Sequence, residues 1–167
     1  MVKRVGRLCL IFILALFTIG LSACTKAKDF FAPGVVLHLT SEFHPMEVND
    51  SQDLFLEGRD KLVTSLKENV GIEYMTNNSL RDYSRAIINT NNLPEGIYID
   101  DAYDEEHNLI YCYFVYEKFI DGTNISYLAT THRGAFSYYL IQFACESKNF
   151  PKYESLFHQW ASQVEVS

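Results

Sequence analysis

From residue 109 onward the chain is dominated by runs in which aromatic and β-branched residues stand side by side. Leu109 to Lys118, Asn124 to Thr131 and Phe136 to Cys145 share that composition, which suits the pleated surface of a strand. Asp121-Gly122 and Arg133-Gly134 fall between them, and their turn chemistry predicts an antiparallel meander. A fourth strand is predicted ahead of it, over Gly96 to Ala102. Within the first run, Ile110, Cys112, Phe114 and Tyr116 alternate with Tyr111, Tyr113 and Val115. A sheet wet on one side would carry polar residues in one of those two sets. Both are apolar, so a sheet covered on both faces is expected, with helices as the usual cover.

Two segments have helical spacing. Ser79-x-x-Asp82 has the form of a capping box, and Leu80, Tyr83 and Ile87 then recur on one side, predicting a helix that ends near Asn89. A second helix is predicted after Asn149, with Pro151 in its first turn and an apolar stripe of Tyr153, Leu156, Phe157, Trp160 and Val164. Toward the N-terminus, Gly34 to Phe43 alternates and reads as a strand ended by Pro45. Lys61 to Val70 is open between two readings. Leu62, Leu66 and Val70 suit a helix, whereas Leu62-Val63-Thr64-Ser65-Leu66 suits a strand equally well.

The first 23 residues follow a different logic. Lys3, Arg4 and Arg7 precede an uncharged stretch from Leu8 onward that closes on Leu21-Ser22-Ala23-Cys24. A basic region, an apolar region and small residues at the end are the parts of a secretory signal, and a cysteine directly after Ser-Ala resembles the lipobox of bacterial lipoproteins. That resemblance implies cleavage before Cys24, with Ser22 and Ala23 fitting the peptidase, and a diacylglyceryl group on the Cys24 sulfur. Two acyl chains suffice for stable membrane attachment where one is marginal. The span from Leu8 to Ala23 is 16 residues, short of the ~20 that a bilayer-crossing helix needs. The expected organisation is a signal peptide over 1–23, a lipidated N-terminus and tether over 24–33, and one domain over 34–167.

Charge narrows the range of partners. The whole chain carries a formal charge of −7, and loss of the signal removes three basic residues and no acids, leaving −10. Such a domain is repelled by nucleic acid and by anionic headgroups, so a nucleic-acid role is excluded and the membrane is reached through the lipid on Cys24. At 48% apolar residues the chain has the material for a packed core.

The order of elements, together with Tyr138-Tyr139-Leu140-Ile141-Gln142-Phe143 leading into Phe150-Pro151-Lys152-Tyr153 and the helix through Trp160, resembles the PsbP-like family. Its members include extrinsic photosystem II subunits, a Ran-binding nuclear-import factor and small bacterial lipoproteins. The resemblance spans about Gly34 to Val166. It implies an α+β fold in which an antiparallel β-sheet is sandwiched between helices, and it favours the strand reading of Lys61 to Glu68. It is a pattern of elements and apolar positions, so no site residue is carried over from it.

Motifs of catalysis are missing from the sequence. The five histidines, His38, His44, His107, His132 and His158, lack metal-site spacing, and neither a glycine-rich phosphate loop nor a nucleophile elbow occurs. No metal and no cofactor is expected. Asp100, Asp101, Asp104, Glu105 and Glu106 form the densest acidic run, which lacks the central glycine of an EF-hand loop and reads as a solvated hairpin connection. Cys112 and Cys145 are left for redox chemistry, either as one disulfide or as two buried thiols. Twelve aromatic residues fall in or beside the sheet; they make either core and cross-strand pairs or an exposed tyrosine surface, for which Tyr111, Tyr113 and Tyr138 are the candidates.

The function expected is that of a lipid-anchored, non-catalytic envelope protein on the extracytoplasmic face of a bacterial membrane. It would act as an accessory or binding module with a membrane-associated protein partner. Two alternatives stand beside it: a small-ligand-binding lipoprotein with a pocket between sheet and helices, and a hydrolase using His132 or His107.

Overall fold

The computed structural model describes residues 26–48 and 52–167; the whole lipobox, Leu21, Ser22, Ala23 and Cys24, lies outside the described residues. Its strands are β1 (Ala27–Ala32), β2 (Val35–Thr40), β3 (His44–Pro45), β4 (Leu54–Glu57), β5 (Lys61–Glu68), β6 (Asp100–Tyr103), β7 (Leu109–Ile120), β8 (Thr123–Arg133), β9 (Tyr138–Glu146) and β10 (Glu165–Val166). The helices are α1 (Ile72–Asn77), α2 (Leu80–Thr90) and α3 (Phe150–Ala161), the last entered through a 3-10 turn at Ser147–Asn149.

A seven-stranded antiparallel sheet in the order β3-β4-β5-β9-β8-β7-β6 forms the middle layer. The long strands β7, β8 and β9 are consecutive neighbours, as the turn chemistry between them requires. Asp121 and Gly122 both have positive φ, 47° and 83°, the conformation of a tight hairpin turn whose twist matches that of the strands. Strand β9 lies in the centre and is buried along nearly its whole length. Its odd and even positions feed two separate cores. Tyr139, Ile141, Phe143 and Cys145 enter one of them, with Phe157 and Trp160 of α3. Tyr138 and Leu140 enter the other, with Met75 of α1 and Leu80, Tyr83 and Ile87 of α2. The expected α+β sandwich is therefore present, with one amendment. On the α3 side the cover is shared with a three-stranded sheet, β1-β2-β10, which contributes Phe30, Val35, Leu37 and Leu39.

Helix α2 begins where the sequence predicted. The Ser79 side chain accepts from the Asp82 backbone N–H at 3.1 Å, and the Asp82 carboxylate accepts from the Ser79 N–H at 3.0 Å, satisfying two free donors at once. Lys61 to Glu68 is a strand, because both of its edges are paired, with β4 on one side and β9 on the other; sheet pairing outweighs a helical spacing of three residues.

Four expectations are corrected. The tether over 24–33 is too long, since Ala27 to Ala32 pairs along its full length with β2 and buries Phe30. The chain reverses at Gly34, whose φ of 76° needs a residue without a Cβ. The strand expected over Gly96 to Ala102 starts only at Asp100, after a positive-φ Gly96. The final helix stops at Ala161, and the chain then turns so that Glu165 and Val166 join β2. The strand expected to run on to Phe43 ends at Thr40, before a turn at Ser41. The alternation along β7 is also interrupted: Ala102 faces Tyr111 while Tyr103 faces Leu109. Ile110 is the extra residue of a bulge and packs with the α3-side core.

Candidate functional site

The two cores differ in how completely they close. On the α3 side the aromatic rings interlock, Phe43 with Trp160 at 5.5 Å and Phe143 with Phe157 at 5.7 Å between centroids. On the other side α2 lies mainly over β7 and β8, and between it and the neighbouring strands β5 and β9 the packing leaves a gap. The result is a cleft of about 650 Å³. Its floor is laid by every second residue of β5 and β9, namely Leu62, Thr64, Leu66 and Glu68 beside Leu140, Gln142 and Ala144. Its wall is Tyr74 of α1 with Tyr83, Ala86 and Ile87 of α2.

The floor is not merely apolar. Thr64 donates to the Gln142 side-chain oxygen at 3.2 Å, and the Gln142 amide donates to the Tyr116 hydroxyl at 2.7 Å. Tyr116 in turn stacks face to face on Tyr127, with centroids 4.8 Å apart. This chain of polar groups crosses the sheet from β5 to β7 at the bottom of the cleft. A surface that only had to pack against a helix would have no use for it, because each buried polar group must find a partner or cost stability.

At one end of the cleft stands Glu68, half-buried at the end of β5. Burial pushes its carboxyl above the usual carboxylate range, and the neighbouring Tyr83 hydroxyl offsets part of that rise. Among the described residues no cation lies within 4 Å of it. Tyr83 stacks on Tyr138 at 4.5 Å, and its own hydroxyl, buried beside the Glu68 carboxyl, closes no well-formed hydrogen bond. Burial moves its pKa strongly upward, so the phenol stays protonated and keeps a donor to offer. A carboxylate and a phenol of this kind, meeting in a cleft, are what a binding site for a polar group looks like.

The tyrosines expected to form an exposed surface do not form one. Tyr111 is 3% exposed and Tyr138 is fully buried, and they lie in opposite cores. Tyr113 is half-buried and donates to Asp100 at 3.2 Å. Side chains of this size at alternating positions are drawn inward on both faces of a doubly covered sheet. Tyr138 does reach the cleft indirectly, as the ring on which Tyr83 rests.

His132 is neither at a turn nor accessible. It is 2% exposed, hydrogen-bonded to Thr130 at 3.0 Å and packed against Tyr111; burial lowers its pKa to about 3. His107 sits in the exposed turn before β7 with φ 63°. They share no site. The acidic run divides in two. Asp101 pairs with Arg81 at 2.6 Å and accepts from Cys112, whereas Asp104 caps its own turn by accepting from the Glu106 and Asn108 backbones. Cys112 and Cys145 are free thiols in opposite cores. Among the described residues no group of three or more His, Cys, Asp or Glu side chains is gathered as metal ligands.

No family model matches the chain, and no curated protein matches it in sequence. Solved structures do. The cyanobacterial PsbP (CyanoP) of Synechocystis sp. PCC 6803 superposes with a TM-score of 0.61 at 12% identity, covering 89% of this chain and 96% of its own. The Saccharomyces cerevisiae Ran-binding protein Mog1p superposes with a TM-score of 0.53 at 9% identity, covering 85% and 96%. A Bacteroides thetaiotaomicron structure gives 0.54 at 10% identity, covering 84% of this chain and 48% of that one. At such identities the likeness is one of fold. The chain has the PsbP-like fold.

Proposed function

We propose that this chain is a non-catalytic binding module, anchored by lipid on Cys24 to the extracytoplasmic face of a bacterial membrane, and that the cleft under α2 receives its ligand. The observation that carries the reading is that cleft of about 650 Å³ with the Thr64–Gln142–Tyr116 chain across its floor. Its size is that of a small-molecule site, and its few placed polar groups in an apolar lining are what fix a ligand's orientation. The burial of His132 supports the non-catalytic side of the proposal. The Ran-binding protein Mog1p shares the fold, and that supports a binding role, although fold alone does not assign one.

The anchor and the cleft belong to one design in this reading. Strand β1 begins at Ala27, three residues after Cys24, so the lipid holds the folded domain within ~10 Å of its attachment point at ~3.3 Å per residue. The ligand is then met at the membrane surface, free or presented by a membrane-associated protein.

The test compares three proteins in native membranes. Wild type is expected to partition into the detergent phase and to retain its ligand or cross-linked partner. Cys24→Ala should leave the detergent phase. Ala86→Trp, which fills the cleft from the α2 wall, should stay in the membrane and lose what it binds. Retention by Ala86→Trp would show that the cleft is not where this protein binds.

A further inference from the structure

We infer that the cleft selects an organic cation, an ammonium group carried on an apolar body, with Glu68 as the counter-charge and Tyr83 as the neighbouring aromatic and hydroxyl partner. The inference rests on the proposed cleft-binding function and names the ligand class it would take.

Glu68 is the first reason. Elsewhere in the molecule, acids that leave the water have a cation, as Asp101 with Arg81 at 2.6 Å and Asp60 and Glu42 with the buried Lys61 at 2.7 and 3.2 Å, or a well-formed hydrogen bond, as half-buried Asp53 from the Lys67 backbone N–H and Asp100 from the Tyr113 hydroxyl. Glu68 is half-buried without such a partner among the described residues. Lys67 adjoins it on β5 but leaves the other side of the strand, over the Tyr139 ring, and two further cations need placing. Arg133 shares its level on the sheet, since Glu68 faces Tyr138 on β9 and Tyr138 faces Arg133 on β8. Its guanidinium instead donates to the Met75 carbonyl at 2.8 Å, beside the Tyr138 ring. Lys118 lines the far end of the cleft. It faces Ile125, which faces Glu146 on β9, whereas Glu68 faces Tyr138; the two levels are separated by ~26 Å at ~3.3 Å per residue. Neither cation neutralises the carboxylate.

Tyr83 is the second reason, and it stands beside the first. Its hydroxyl is buried beside the Glu68 carboxyl without closing a well-formed hydrogen bond, on a side chain that is 2% exposed and lines the same cleft. A buried hydroxyl and a carboxyl that are neighbours without closing a good hydrogen bond leave both free to meet one ligand. Around these two groups the lining is Tyr74, Leu66, Val70 and Ile87. Aromatic faces and aliphatic walls beside one carboxylate suit an ammonium on an apolar body, because the cation gains from both the carboxylate and the rings. An anion would meet the Glu68 charge in a domain already at −10, which repels it at long range as well. A neutral apolar ligand would leave the carboxylate buried and still unpaired.

The experiment uses the full chain in a nonionic maltoside detergent. The probes are 2-phenylethylammonium, 2-phenylethanol and 3-phenylpropionate, which match in shape and differ in charge, and the readouts are the thermal midpoint and calorimetric titration. The ammonium is expected to bind and to raise the midpoint. Glu68→Gln, which keeps the shape of the side chain, should raise its Kd roughly tenfold or more, the loss of one charge-assisted interaction. Ala86→Trp should abolish binding. If the alcohol or the carboxylate binds as tightly as the ammonium, and Ala86→Trp removes it, the cation inference fails while the cleft remains a ligand site. If the ammonium binds unchanged in Glu68→Gln or in Ala86→Trp, or if it does not bind, the inference fails. Tyr83→Phe separates the two partners: a weaker ammonium complex is expected from loss of the hydroxyl, and an unchanged one would remove Tyr83 from the site.

Discussion

The two faces of the central sheet are built from the same strands, yet one is closed and the other open. On the α3 face, Phe43, Phe143, Phe157 and Trp160 form a continuous set of ring contacts, and the charge buried there is paired. Lys61 is 6% exposed and lies between Asp60 and Glu42, over the Tyr153 ring at 4.3 Å; Tyr153 also donates to Asp60. Burial works against the Lys61 ammonium, but the two carboxylates hold its pKa above the ordinary value. On the α2 face the helix covers part of the sheet, the floor carries polar groups, and Glu68 is left without a counter-ion. One face supplies stability, and the other gives some of it up for a concave surface with unmet polar groups. That division is the usual relation between a scaffold and the site it carries.

The largest effect that would test this difference is a pair of truncations. Phe157 is fully buried among aromatic rings, and Phe157→Ala leaves a cavity that the neighbouring rings cannot fill. A loss of about 3–5 kcal/mol of unfolding free energy is expected. Leu62, on the cleft floor, is bounded by solvent-accessible space, so Leu62→Ala removes contacts without creating a sealed void and should cost about 1 kcal/mol. Urea unfolding of both variants decides the matter. Equal losses would mean that the α2 face is as tightly packed as the other.

Acid is expected to separate the faces next, with opposite signs. Burial holds His132 neutral, its pKa lowered to about 3, whereas in the unfolded chain it titrates near 6.5. Between those values the unfolded state binds the extra proton, so stability falls as pH falls below 6.5, by about 1.4 kcal/mol per pH unit for one group. His158, also lowered by burial, adds to the fall, and His38, raised by Asp29 and Glu165, opposes it from the exposed edge of the small sheet. Glu68 has the reverse linkage to His132. Its raised folded pKa means that protonation favours the folded state as pH drops through the carboxylate range. Unfolding curves from pH 7 to pH 5 should show the His132 loss, and His132→Gln should flatten it by more than 1 kcal/mol at about pH 5. An unchanged slope would place the imidazole in water.

Much of the closed face was legible in the sequence, and little of the open one. The meander, the capping box at Ser79 and the stripe of α3 follow from local rules, because each is written in adjacent residues or in one helical period. The strand at Lys61 to Glu68 is undecided locally, since only half of it has a nearby partner, 5 to 11 residues back on β4, while the pairing along its whole length is with β9, 70 to 84 residues ahead, beyond the reach of any short window. Strand β1 leaves no mark in the sequence, because a six-residue segment with a single buried anchor, Phe30, carries no periodicity. The tyrosine surface failed for a related reason: alternation shows that Tyr111 and Tyr138 leave opposite sides of their strands only once the register is known. The cleft had one sequence signal, Gln142 within the otherwise apolar run Tyr138 to Cys145. A polar residue at a position that belongs to a core is where consistency between local and global structure breaks, and such breaks mark sites.

The smallest expected effect tests the unpaired charge itself. Ion pairs that stabilise a fold lose stability when one member is neutralised, so Asp101→Asn, which breaks the pair with Arg81, should destabilise. Glu68→Gln should do the opposite at pH 7. It removes a half-buried carboxylate whose charge burial disfavours, and after allowance for solvent screening the gain is a few tenths of a kcal/mol. Near pH 4, where Glu68 is largely protonated in the folded chain, the gain should vanish, so the variant and the wild type should converge as the pH is lowered. Urea midpoints measured at both pH values provide the check. A loss of stability at pH 7 would mean that the carboxylate already has a partner within the fold, and the contrast between a closed face with paired charges and an open face with an unpaired one would collapse. A gain means that the chain keeps at this position a charge that its own folding does not need.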